Sequence, residues 1–171
     1  MEFGKIYRLC PGKRIDIMDI KSAEERSRNM SAIKNKDTVP EIFFRKLLFA
    51  RGFRYRKNIS YISGHPDLYL ARYHTAIFIH GCFWHRHKGC KYAYLPKTRQ
   101  DFWENKFQKN IIRDKEVLDQ LIEKNTRCLI VWECSIKAMM KSKEFRNQIV
   151  REVIEFLDSE RTYMEIGSQN F

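Results

Sequence analysis

The stretch "HPDLYLARYHTAIFIHG", residues 65–81, decides the fold. Leu68 to Tyr73 and Thr75 to His80 are two runs rich in aromatic and branched residues, separated by His74 alone. A helix cannot fit in that gap, so the runs are expected to pair as an antiparallel hairpin. Downstream, Phe102, Phe107, Ile111, Leu118, Leu121 and Ile122 recur at helical spacing within 98–125, predicting one long amphipathic helix. The nearly all-apolar "RCLIVWEC", 127–134, then reads as a strand buried on both faces. A strand from Thr75 to His80, a crossover helix and a strand from Cys128 to Glu133 make a right-handed parallel unit. Upstream, two capping boxes open helices, Ser22 to Glu25 and Thr38 to Glu41, the second with Pro40 in its first turn. The first of these is a short polar helix or, alternatively, a disordered arm. Ser142 caps a final helix. The expected fold is α/β, a mixed sheet flanked by helices. The segment 1–20, broken at Cys10-Pro11-Gly12, is expected to be a disordered tail in which Met18 is a second candidate start. One domain then covers 21–160, and 161–171 is a second tail.

At 171 residues, 43% of them hydrophobic and 13% aromatic, the chain can bury a core without disulfide staples. It contains no apolar run near the roughly 20 residues that span a bilayer and no signal-peptide core, which predicts a soluble, cytoplasmic protein. Five cysteines, an odd number, disfavour a secreted disulfide framework and turn attention to metal ligation. The formal charge is +12 and it is concentrated. Between Glu41 and Asp101 stand twelve Lys or Arg and a single carboxylate, Asp67, while the remaining 21 basic and 20 acidic residues nearly cancel. All five histidines share that stretch. Solvated faces normally intersperse both signs, so this balance points to a polyanion, of which nucleic acid is the commonest.

Within it, "IHGCFWHRHKGC", 79–90, supplies Cys82, His87 and Cys90 at spacings that tetrahedral zinc accepts. Cys134 completes the set, because neighbouring parallel strands end side by side. Cys128, six residues earlier and on the order of 20 Å away along an extended strand, is read as a core residue. Four protein ligands leave no open position, so the zinc is structural. His80 and His85 remain for chemistry at the carboxyl edge of the sheet. The lone Asp67, surrounded by cations, is expected to have a lowered pKa and to stay ionised, ready for a hard cation.

Pro66-Asp67 ahead of a strand resembles the restriction-endonuclease-like nucleases, whose usual acidic residue, spacer and lysine on the next strand are replaced here by "IFIH", 77–80. Together with "RSRNMSAIKNKDT" (26–38), "GHPDLYL" (64–70), "IFIHGCFWHRHKGC" (77–90), "PKTRQDFW" (96–103) and "LIVWEC" (129–134), the chain resembles one branch of them, the very-short-patch repair (Vsr) DNA mismatch endonucleases. The resemblance implies a restriction-endonuclease-like mixed sheet with one structural zinc site. It implies Mg²⁺ on Asp67 and on the main-chain carbonyl of Ile79, where many members carry Thr. His85 matches the general base, His80 and Glu41 match supporting residues, and Cys82, His87, Cys90 and Cys134 match the zinc ligands.

Phe83 and Trp84, squeezed between Cys82 and His85, are read either as core or as an exposed wedge between bases; Trp103 has helical spacing to Phe107 and a core alternative of its own. Trp132 is read as core. The resemblance assigns Phe83, Trp84 and Trp103 to insertion beside a T:G mismatch and Met30 to insertion from the other groove. The expected activity is Mg²⁺-dependent nicking of double-stranded DNA 5′ to the thymine of a T:G mismatch left by 5-methylcytosine deamination, by a monomer acting beside mismatch-repair proteins. Its rivals are a restriction-type nuclease of the same fold and a non-catalytic zinc-containing DNA-binding module.

Overall fold

The computed structural model describes Ser22, Glu24, Glu25, Arg28, Ser31 and residues 36–167. Met30 and the expected tail over 1–20 lie outside the described residues. The first capping box is formed: the Ser22 amide donates to Glu25 Oε2 (3.0 Å) and the Glu25 amide to Ser22 Oγ (3.1 Å).

Among the described residues five strands stand in the order β1-β2-β3-β4-β5. They are Arg56–Lys57, Leu68–Leu70, Thr75–His80, Arg127–Trp132 and Tyr163–Ile166. β1, β2 and β3 pair antiparallel, and β3, β4 and β5 pair parallel. The expected hairpin is present, with β2 shorter than its apolar run. Ala71–Tyr73 form a 3-10 turn and His74 takes φ +47°, because reversing the chain in so few residues requires a left-handed position.

Side-chain alternation sorts the core into two layers. On one face Leu68, Leu70, Ile77, Leu129, Val131 and Ile166 pack against α1 (Val39–Ala50), α3 (Glu133–Lys141) and α4 (Lys143–Leu157). On the other, Tyr69, Ala76, Phe78 and Cys128 meet α2 (Gln100–Glu123) through Leu121, Val117 and Leu118. Each fully buried Leu or Ile contributes about 1.5–3 kcal/mol, which fixes the strand register. α2 is less immersed than its spacing suggests: only Phe107 and Leu121 are buried, and Phe102, Ile111 and Ile122 are exposed. Its 24 residues outrun the short strands it covers.

Two boundaries differ from expectation. The apolar run 127–134 is not all strand: β4 stops at Trp132 and α3 starts at Glu133, so Cys134 lies in the first turn of a helix. The helical period shows in Glu133, Lys137 and Lys141, four apart on the more exposed face, against Ile136 and Met139, three apart and buried. The end of the domain also moves. Tyr163–Ile166, assigned above to a tail, is β5 and pairs with Cys128–Val131. Among the described residues no helix is long and apolar enough to cross a membrane.

Candidate active site and metal centre

The register of β3 and β4 pairs His80 with Trp132. Two residues beyond each stand Cys82 and Cys134, so the sheet itself brings the two cysteines together. The ligand atoms of Cys82, His87, Cys90 and Cys134 lie within 4.8 Å of one another. His87 Nδ1 is 3.7 Å from Cys82 Sγ and 3.3 Å from Cys134 Sγ. A tetrahedral ion bonded at about 2.0–2.3 Å to four such atoms needs spacings of this order. The Cys82 thiol is pushed up first by its hydrogen bond with Cys134, then by burial and like charge, while the Cys134 amide favours the thiolate. Crowded soft donors of this kind fit a cation, and the cluster can hold a metal ion. Cys128 is absent from it. It is buried under α2, where burial pushes its thiol up to about 12.

On the α2 side of the same sheet edge, a cavity of about 370 Å³ is lined by Glu41, Asp67, Ile79, His80, His85 and Asp114. Asp67 Oδ2 accepts the Ile79 amide at 2.7 Å. The expectation of a lowered Asp67 pKa is overturned: the carboxyl is pushed up to about 6, by burial first and by the Glu41 charge, against the pull of the Ile79 amide, Arg45 and His85. Of the twelve basic residues that motivated the expectation, Arg45 alone is buried. The others act through water, which screens them, whereas the cavity wall strips solvent from Asp67 directly. A half-buried carboxylate short of positive charge, next to Glu41 and a strand-end carbonyl, is an oxygen donor set that fits a hard divalent cation.

Glu41 serves the cap and the cavity together. Its carboxylate accepts from Thr38 Oγ1 (2.7 Å), the Asp37 amide (2.9 Å) and Arg45 Nη2 (3.3 Å). Arg45, one helical turn on, also pairs with Asp37 at 2.6 Å and so braces the site from beneath. His80 and His85 stack face to face, centroids 3.8 Å apart at 9°. Burial, then the His85 charge, pushes His80 down to about 3, so it is neutral at physiological pH. His85 Nδ1 lies 2.5 Å from Asp114 Oδ2. Burial of Asp114 opposes its ionisation, but the hydrogen bond and charge of His85 prevail and its pKa is lowered. An ionised carboxylate only accepts, so His85 Nδ1 donates in this contact, and in the neutral ring Nε2 is the acceptor.

Sequence reasoning missed Asp114 and Arg45. Asp114 is one of several acidic residues along α2 and becomes distinctive only when α2 crosses the loop after β3. Arg45 had a local signal in its spacing of four from Glu41. Trp132, read as core, is buried but links the two centres. Its ring stacks on His87 (4.1 Å, 8°) and meets His80 edge-on (5.4 Å), while its Nε1–H donates to Glu165 of β5.

The aromatic residues pack on one another without being fully buried. Phe83 lies 5.1–5.3 Å from Trp84, Tyr94, Trp103 and Phe107, and Trp103 stacks on Phe107 at 5.7 Å. Yet Phe83, Trp84 and Trp103 all remain half-buried, at the surface end of this cluster. Beside them a second groove of about 550 Å³ runs from His85 past Trp84, Lys106, Asn110 and Arg113. Asn110 Nδ2 fixes the loop by donating to the Trp84 carbonyl at 2.9 Å.

This geometry can be set beside known proteins. The model of the family "DNA mismatch endonuclease Vsr" matches residues 18–91. The chain is 42% identical over 135 residues to the Type II nicking enzyme V.NmeAIP of Neisseria meningitidis serogroup A, covering 79% of this chain and 96% of that protein. It is 39% identical over 123 residues to the DNA mismatch endonuclease Vsr of Escherichia coli K12, covering 72% and 78%. A third relative, the Type II nicking enzyme V.HpaIIP of Haemophilus parainfluenzae, is 47% identical over 106 residues, 61% and 75% of the two chains. The chain belongs to the Vsr DNA mismatch endonuclease family.

Proposed function

We propose that the protein nicks double-stranded DNA 5′ to the thymine of a T:G mismatch, using Mg²⁺ and a histidine general base. The observation that carries this reading is the convergence of Asp67, Glu41 and the His85–Asp114 pair on one cavity at the carboxyl edge of the sheet. Asp67 and the Ile79 carbonyl would hold the cation. When bound, Mg²⁺ supplies positive charge that offsets the charge building on the phosphate. His85 receives a proton from the attacking water at Nε2, and Asp114, at Nδ1, holds the ring in the correct tautomer and steadies the imidazolium that forms. Neutral His80 supports that ring through the stack without competing for the proton. The Cys82, His87, Cys90 and Cys134 set would hold a structural zinc that pins the Phe83-Trp84-His85 loop to the sheet. Phe83, Trp84 and Trp103 then stand ready at the surface to enter the base stack at a mismatch, which unstacks more easily than a matched pair.

The test is nicking of a duplex with a central T:G pair against the same duplex with T:A, in Mg²⁺ and in chelator. Strand-specific nicking of T:G that requires Mg²⁺ is expected. Equal cleavage of T:A, or of both strands, overturns the mismatch reading. A further expectation concerns Asp114→Asn, which keeps the shape but lets the ring settle in the wrong tautomer, with its proton on Nε2. It should lower the single-turnover nicking rate about 100-fold with duplex affinity unchanged.

A further inference from the structure

A separate cavity of about 430 Å³ opens on the other side of the metal cluster, between the loop after His87 and the α3–α4 junction. Cys90 and Cys134 form part of its wall, Ala138 and Phe145 give it an apolar floor, and Lys91, Lys137 and Lys141 converge on it from two separate segments. No carboxylate is among its lining residues. Two of the ammonium groups are gathered by a single ring: Lys91 Nζ lies 5.5 Å and Lys137 Nζ 4.8 Å from the centroid of Tyr92. Lys137 is offset by a carboxylate of its own, so Lys91 and Lys141 are the cations in this wall that an anion in the cavity would meet. Lys137 pairs with Glu133 at 2.6 Å, and Glu133 lines the groove that carries His85 and Trp84. The cavity is therefore joined to the catalytic groove through one ion pair.

We infer that this cavity is a phosphodiester-binding site, which takes a backbone phosphate of the bound duplex between Lys91 and Lys141 and its deoxyribose against Tyr92 and Phe145. The inference rests on the DNA-nicking reading and extends it. A strand that lies in the catalytic groove continues past Glu133 into the cavity. The contact positions the duplex and carries no sequence information, since phosphates are the same at every base pair. Its size suits one sugar-phosphate unit and is too small for a folded partner.

The experiment compares the wild type, a Lys91→Ala/Lys141→Ala double variant and a Lys115→Ala/Lys124→Ala control at α2 and its C-terminal cap. The equilibrium affinity for a T:G duplex is measured across a salt series, together with single-turnover nicking at saturating duplex. The cavity variant is expected to bind about tenfold more weakly at low salt. The slope of log K on log salt should become shallower by about 1–2, the counterions of one or two phosphate contacts. Its nicking rate at saturation should equal that of the wild type, and the control should match the wild type throughout. A salt slope unchanged in the cavity variant, or reduced equally in the control, overturns the site while wild-type nicking still stands. A wild type that neither binds nor nicks the duplex removes the reading beneath it as well.

Discussion

Asp67→Asn is expected to abolish nicking, by about 10³-fold or more, while duplex affinity in the absence of metal should stay at the wild-type value; loss of charge neutralisation worth roughly 4 kcal/mol at the phosphate would account for that factor. The amide oxygen of the replacement side chain can still accept the Ile79 amide, so the hairpin is kept and only the charge is removed. The same variant has a second, less intuitive signature. In the metal-free protein Asp67 titrates at about 6 against an ordinary 3.8, so between those pH values the native state holds more protons than the unfolded chain. Stability from this group is complete below 3.8, falls as pH rises through the window and is gone above about 6. Metal-free D67N should therefore melt above the wild type at pH 7.5 and level with it near pH 4. Mg²⁺ should raise the wild-type melting temperature and leave that of the variant unmoved. Calorimetry at the two pH values, with and without Mg²⁺, checks both. A variant that nicks normally, or a wild type indifferent to Mg²⁺, sinks the assignment.

The second large effect belongs to the Cys/His cluster. Cys134→Ser should empty it, lower the melting temperature by about 10 °C or more and reduce nicking at least 100-fold, because structural zinc sites hold several kcal/mol of folding energy. Cys128→Ser is the matched control: it alters a cysteine only six residues away in the same chain segment but outside the cluster, and should keep one metal ion per chain. Metal content by elemental analysis, read beside the melting curves, separates the two. Equal metal content in both variants sinks the cluster as a metal site. The loss of nicking is expected to follow from geometry, since Trp132 touches both His87 and His80 and passes the order of one centre to the other.

Much of this site could be read in the sequence, for a definite reason. Cys82, His87 and Cys90 lie close together in the chain, and Cys134 follows from the pairing of two strands whose apolar runs are unmistakable. Asp67 stood out as the lone carboxylate in a basic stretch. What the sequence hid was whatever depends on one element crossing another. Asp114 meets His85 across 29 positions, and nothing in the helical spacing of α2 distinguishes it from its acidic neighbours. The Asp67 pKa was misjudged because the count of nearby charges is written in the chain while the removal of water around one carboxyl is not. β5 was overlooked because four residues of strand, three of them exposed or half-buried, give no apolar alternation to detect.

That last strand bears on how the enzyme is made. Trp132 donates its indole proton to Glu165, and the backbone at Gly167 passes so near the His87 ring that an added methyl group would sit 2.7 Å from Nε2. Both contacts come from β5 and the residue that follows it, the last part of the sheet to leave the ribosome. A nascent chain that stops short of β5 thus lacks the segment that packs against Trp132 and His87, so the edge of the sheet that carries both centres is complete only once synthesis has passed residue 167.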